Sequence, residues 1–139
     1  MILADRWIEY VRPVYEKTIN DYKELKKQEI LNYDSSSSVN EFSINGMHLW
    51  LDKATRAGLK LRFESEKNFG VQETTLWHNG LQFPLTIKLA FQMLYALEVY
   101  ASACYDNTQR HLAEVEKLET IEEVDAYNYR TGYPDKLRF

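Results

Sequence analysis

The sequence predicts an α+β fold: two β-hairpins forming a small antiparallel sheet, packed with an N-terminal helix, a middle helix and a long C-terminal helix. Three observations predict it. Asn45-Gly46 and Asn79-Gly80 each lie between alternating apolar residues, the pattern of a tight hairpin turn. The stretch from Pro84 to Glu119 carries no Gly or Pro after its first residue and reads as one helix. Finally, Asn45-Gly46-Met47-x-Leu49-x-Leu51-Asp52 matches Asn79-Gly80-Leu81-x-Phe83-x-Leu85-Thr86, so turn, strand and N-cap recur at the same offsets. Two such units would build one four-stranded antiparallel sheet with helices on one face; otherwise the match is a coincidence of two short amphipathic hairpins.

The elements follow in order. Trp7, Ile8 and Val11 suggest a helical turn or two before Pro13, which kinks a helix or opens one. Val14 to Tyr33 is helical in pattern. Val11, Tyr15, Ile19, Tyr22, Leu25 and Leu31 outline a broad apolar stripe, while Lys17, Lys23, Lys26 and Lys27 face water. Asp34 and the four serines after it form a loop. In the first hairpin a type I′ turn at Asn45-Gly46 pairs Ile44 with Met47 and Phe42 with Leu49 on one face, leaving Glu41, Ser43, His48 and Trp50 on the other.

Asp52 caps a middle helix running to about Lys67, with Ala54, Ala57, Gly58 and Leu61 as a close-packing face and Gly70 as its stop. The second hairpin turns about Asn79-Gly80. A two-residue loop puts Leu76 and His78 with Phe83 and Leu81; a three-residue loop puts Trp77 there instead.

Thr86 caps the long helix. From Ile87 to Tyr105 that helix is apolar nearly all round, broken by Lys88, Gln92, Glu98 and Ser102, which marks a buried central helix. Its stripe continues through Cys104, Thr108, Leu112, Val115 and Leu118. Such a helix is roughly 50 Å long, against a radius of gyration of about 14 Å for a compact chain of this size. It therefore projects from the body or breaks near Asp106-Asn107. Thr120 to Glu123 is a capping box opening a short helix to about Ala126, with Glu123 reaching back. An irregular tail follows, its Tyr127, Tyr129, Tyr133 and Pro134 laid against the body.

At 139 residues one domain is expected, with residues 1–39 as an N-terminal helical arm and 40–139 as the hairpin-helix-hairpin-long-helix core. Apolar residues make up 45% and aromatics 14%, which is globular rather than disordered. A net charge of −4 argues against a phosphate-binding surface over the whole domain, so no nucleic acid is expected. No signal peptide or membrane span is expected. The single Cys104 lies on the apolar stripe and reads as an inert buried thiol.

Chemistry is sparse. His48, His78 and His111 stand without a second ligand at zinc-like spacing and read as half-exposed polar residues. The acids from Glu114 to Asp125 lack the pattern of a calcium loop and read as a solvated face. No phosphate loop or nucleophile elbow occurs. No catalytic residue, metal or cofactor is expected. Charge is asymmetric: Glu98 to Asp125 is strongly acidic, while Lys53 to Lys67 is basic, complementary within one molecule or between copies.

From Ile44 to Pro134 the chain resembles the domain-of-unknown-function 4376 family of phage and prophage proteins encoded near tail fibres. The resemblance rests on Ile44-Asn45-Gly46, Leu51-Asp52 with Thr55-Arg56, Trp77, Phe83 and Leu85-Thr86, then Leu118 to Val124 and Gly132-Tyr133-Pro134. These positions are turns, caps and packing residues, so no catalytic motif is carried over. The resemblance implies a virion-associated or assembly role in the tail or tail-fibre region. The partners would be other virion proteins or further copies, the location the virion or the infected bacterial cytoplasm. From the length of the helix, the contact surface expected is the distal stripe of Thr108, Leu112, Val115 and Leu118; the internal alternative is that the first helix, Val14 to Tyr33, reaches it and the two form an antiparallel hairpin. The rival is a small-ligand binder or enzyme using a tyrosine-rich sheet with His48 or His78.

Overall fold

The structure, a computed structural model, describes residues 17–139. Its elements are α1 (Ile19–Asp34), β1 (Phe42–Ile44), β2 (Met47–Leu49), α2 (Lys53–Asn68), β3 (Glu73–His78), β4 (Leu81–Thr86), α3 (Ile87–Glu116) and α4 (Ile121–Ala126). The α+β class is the one the sequence predicts. The expectations for Trp7 to Tyr15 lie outside the described residues. Two compact units are present, each described by itself. The described part of the first is residues 17–32 and Thr108–Thr131; the second is Tyr33–Asn107 with Gly132–Phe139.

In the second unit both turns form as two-residue loops. Asn45 and Gly46 have φ of 50° and 80°, Asn79 and Gly80 of 49° and 75°, the left-handed pair that a type I′ turn demands. The first hairpin pairs Phe42 with Leu49 and Ile44 with Met47, and Phe42, Ile44 and Leu49 are buried with Met47 half-buried on one face. The second pairs Leu76 with Phe83 and His78 with Leu81, so the two-residue alternative is the one adopted.

The hairpins do not merge into the four-stranded sheet that the repeat suggested; each forms its own two-stranded sheet. The outer edge of β1 is taken by the C-terminal tail. Ser43 bridges Arg138 in parallel. The Ser43 N–H donates to the Leu137 carbonyl (3.0 Å), the Asn45 N–H to that of Phe139 (3.0 Å) and the Phe139 N–H back to Ser43 (2.8 Å). The Phe139 ring then meets Phe42 edge-on, centroids 5.7 Å apart.

The core of this unit joins Phe42, Ile44 and Leu49 to Leu76 and Phe83, to Phe63 of α2, and to Ala90, Met93, Leu94 and Leu97 of α3. A second cluster gathers Val39, Tyr100 and Cys104, where Tyr100 Oη donates to the Val39 carbonyl at 2.5 Å. Burial pushes both the Tyr100 hydroxyl and the Cys104 thiol upward in pKa, in keeping with an unreactive thiol.

The middle helix packs differently from expectation. Ala54, Ala57, Gly58 and Leu61 are exposed, while Arg56 and Phe63 are buried. The Arg56 guanidinium explains the rotation. It lies 5.4 Å from the Trp50 ring, donates to the Leu51 carbonyl (2.6 Å), and reaches Glu98 Oε2 through Nε (3.2 Å) and Nη2 (3.1 Å). The apolar stem and the planar charge are both satisfied there, so the arginine outcompetes the small residues for the inner face. The helix closes in a Schellman motif: the Val71 N–H reaches the Glu66 carbonyl (2.9 Å) around Gly70, whose φ is 79°.

The caps are where the sequence puts them. Asp52 Oδ1 accepts from the Thr55 N–H (2.8 Å), Thr86 Oγ1 from Leu89 (3.2 Å) and Thr120 Oγ1 from Glu123 (3.1 Å). Among the described residues, only the threonine half of the Thr120–Glu123 box is in place. An unforeseen cap opens α1. Thr18 Oγ1 faces the Asp21 N–H (3.4 Å) and Asp21 Oδ2 accepts from the Thr18 N–H (2.9 Å), which caps the helix beginning at Ile19; the expected start at Val14 lies outside the described residues. The long helix does not break at Asp106-Asn107; it runs 30 residues to Glu116.

Two glycines make opposite tests. A Cβ on either Gly46 or Gly58 meets no atom within 4 Å, but only Gly46 has a positive φ. Gly46→Val should cost about 1–2 kcal/mol for the left-handed backbone alone, whereas Gly58→Ala should stabilise the exposed helix by about 0.5–1 kcal/mol. Denaturant midpoints check both. The Thr55 side chain and N–H at Asp52 hold its carboxyl below its ordinary value of 3.8. The stability lost in Asp52→Ala should therefore be seen above pH 3.8 and should vanish as the pH falls through the depressed folded value, read as converging thermal midpoints.

Candidate functional site

The distal stripe was expected to meet a partner, and the structure corrects this. In the first unit Thr108 is 1% and Val115 0% exposed, with Leu112 and Leu118 half-buried. The covering element is α1. Lys23 Nζ donates to the Glu116 carbonyl at 2.7 Å, and Lys27 pairs with the Glu116 carboxylate. Lys23 is itself buried, against the expectation that it faces water, because an ammonium at a helix C-terminus satisfies an orphan carbonyl and meets the negative end of the helix dipole. The inner face of α1 thus carries Lys23 and Ile30, while Leu25 and Leu31 are exposed, a rotation from the expected stripe. What remains between the two helices is a shallow groove of about 430 Å³, bordered by Gln28, Leu31, Gln109 and Leu112.

The histidines do not converge. His48 is exposed with Nδ1 3.2 Å from Glu41, and His78 sits in β3. His111 departs from the half-exposed reading: it is 1% exposed, its Nδ1 2.5 Å from Tyr127 Oη and its Nε2 2.7 Å from the Thr131 carbonyl. Tyr127 Oη in turn donates to Glu114 Oε2 at 2.5 Å. Glu114 is therefore a hydrogen-bonded acid, not merely part of a solvated face, and the Tyr127 hydroxyl holds its carboxyl below the usual range, helped by Arg110. Among the described residues no group of three or more His, Cys, Asp or Glu side chains is placed to hold a metal, and no helix is long and apolar enough to cross a membrane.

The best candidate surface lies on the second unit, on a side of α3 that the sequence had placed in the core. Phe63, fully buried, meets Phe91 edge-on at 6.1 Å; Phe91 stacks on Tyr95 at 5.9 Å, and Tyr95 is exposed. Phe91 and Tyr95 of this ladder line an open groove of about 630 Å³ between α2 and α3, rimmed by Glu64, Lys67 and Lys88, with Lys67 Nζ 5.9 Å from the Phe91 ring. Further along the same helix Val99 is 71% exposed, and the exposed Tyr105 lines a second hollow of about 400 Å³ with Arg56 and Glu98. Aromatic floor and charged rim are the anatomy of a protein-contact surface.

A separate apolar cavity of about 370 Å³ lies among Ile44, Phe83, Leu85, Leu89, Met93 and Phe139, with Asn45 and Gln92 as its polar lining. Neither His48 nor His78 lines it.

Sequence reasoning missed the groove because a run apolar on every side gives no direction. The signal present was Lys88 and Gln92, which with Tyr95 and Val99 share one side of the helix at spacings of three and four.

Two substitutions separate the buried stripe from the open face. Val115→Asp should destabilise by about 3 kcal/mol or more, an unpaired charge in a closed site. Val99→Asp should shift stability by no more than about 0.5 kcal/mol. Chemical unfolding of the two variants checks the contrast.

Compared with protein-family models, with curated proteins and with solved structures, the chain matches none.

Proposed function

We propose that this chain is a virion-associated or assembly protein of a phage tail or tail-fibre region, and that it acts through protein contacts without catalysis. The resemblance at the hairpin turns, the caps and the Gly132-Tyr133-Pro134 ending supports the phage assignment. One structural observation supports the mode of action: Tyr95, Val99 and Tyr105 lie exposed on a helix whose composition suits burial on all sides. Scattered exposed apolar residues are ordinary. Here they follow one helix, above an aromatic ladder that continues into the core, and beside paired charges that suit a polar rim. Partners of this kind include other virion proteins and further copies of the chain.

The test is assembly in infected cells with a tagged full-length chain. Mass spectrometry of purified particles and of tail intermediates should find the wild-type chain. Tyr95→Asp with Val99→Asp should reduce its incorporation at least about tenfold, the equivalent of losing one good anchor, with the circular dichroism unchanged. Absence of the wild-type chain from both fractions would sink the phage reading. Incorporation of the double variant at the wild-type level would move the contact elsewhere. Turnover abolished by a single His48 or His78 substitution would instead support the enzyme alternative.

A further inference from the structure

Four segments of the second unit meet around the apolar cavity of about 370 Å³: the turn of the first hairpin, β4, the start of α3 and the tail at Phe139. Its floor is closed, since Ile44, Phe83 and Met93 are buried. Its mouth is apolar and open: Leu89 is 53% and Phe139 42% exposed. The walls are fixed by contacts of their own. The Asn45 N–H donates to the Phe139 carbonyl (3.0 Å) and the Phe139 N–H to that of Ser43 (2.8 Å). The Phe139 ring meets Phe42 edge-on, and the Thr86 cap on the Leu89 N–H (3.2 Å) sets where α3 begins. A closed apolar floor with walls already in place is the usual form of a small-molecule site.

The lining defines what would enter. Among the described residues, none of the side chains around the cavity is charged, so an ionised ligand finds no counter-charge there. The polar groups are two neutral amides, Asn45 and Gln92, each able to donate and to accept. The Asn45 bond to the tail is made by its backbone, so its side-chain amide is not spent on it. Both residues are exposed, which puts the polar groups at the mouth. An apolar cavity of about 150 Å³ accepts benzene, so this volume corresponds to roughly fifteen non-hydrogen atoms. A molecule of that size would also cover the open parts of Leu89 and Phe139, and the gain from burial lies there.

We propose that this cavity binds an uncharged, mostly apolar small molecule that carries one hydrogen-bonding end. Ile44, Phe83 and Met93 take the apolar body, and Asn45 and Gln92 take the polar end. The site is separate from the Phe91–Tyr95 groove: of the described residues, Gln92 alone borders both. The inference is independent of the phage reading.

The experiment uses the full chain and 2-naphthamide, an uncharged bicyclic probe with an amide end. In ¹³C-methyl NMR, Ile44, Leu89 and Met93 should shift saturably at roughly millimolar probe or below, while Ile30 of the first unit stays in place. 2-Naphthoate, the same rings with a negative charge, should bind at least about fivefold more weakly. Leu89→Glu puts a charge on the apolar wall at the third residue of α3, where a glutamate completes a capping box with Thr86 and keeps the helix. It should weaken 2-naphthamide at least about tenfold, with circular dichroism unchanged. Gln92→Leu, at an exposed position, should weaken it by about threefold to tenfold, the loss of one hydrogen bond. No saturable shift of the three methyl signals at millimolar probe would overturn the proposal. Shifts confined to the Tyr95 ring, equal binding of the naphthoate, or unchanged affinity in either variant would overturn it too.

Discussion

In each unit the buried side chains of α3 form a stripe. Ala90, Met93, Leu94, Leu97, Tyr100 and Cys104 serve the second unit, and Thr108, His111 and Val115 the first, all at spacings of three and four. An α-helix offers about 100° per residue, so such a row stays on one side only while the ladder is unbroken. Docking α2 through Phe63 in the second unit and seating α1 against Glu116 in the first each depend on the helix being formed there. The caps matter for the same reason: Thr86 sets where the row begins.

Charge is used at short range inside this frame. Arg56 was one of several basic residues facing an acidic segment, and it becomes the buried partner of Glu98, stacked on Trp50 and bonded to Leu51. Lys23 closes a helix end instead of facing water. Both side chains have apolar stems long enough to line a core while their heads find fixed acceptors. Burial here follows the availability of acceptors, not hydropathy. The same logic puts His111 inside, between the Tyr127 hydroxyl and the Thr131 carbonyl.

The other side of α3 has a different logic. The ladder from Phe63 through Phe91 to Tyr95 connects a fully buried ring to an exposed one by two direct contacts. A partner seated on Tyr95 would rest on residues already fixed by the core, so little side-chain entropy remains to be lost on contact. An open face backed in this way is better prepared for binding than scattered surface leucines. In the first unit, by contrast, the polar line of His111 and Tyr127 is turned inward, where its hydrogen bonds act on stability.

Much of the local structure was legible in the amino-acid order. Asn-Gly pairs require positive φ, so both hairpins, their registers and their two-residue loops follow from steric rules that act within four residues. The caps at Asp52, Thr86 and Thr120 follow from equally local hydrogen bonds. Tertiary structure alone decided which face of each helix turned inward. Arg56 displaced Ala54, Ala57 and Gly58 because its acceptors come from Leu51 and Glu98, the latter 42 positions away. The hairpins form separate sheets, and the outer edge of β1 is filled by residues 137–139. Thr108 and Val115 were closed off by a helix from the other end of the chain. Tyr95 and Val99 were left open, since the apolar run of α3 exceeds what its own neighbours cover. Periodicity states that a surface must be buried; only the partners that reach it determine which surface is.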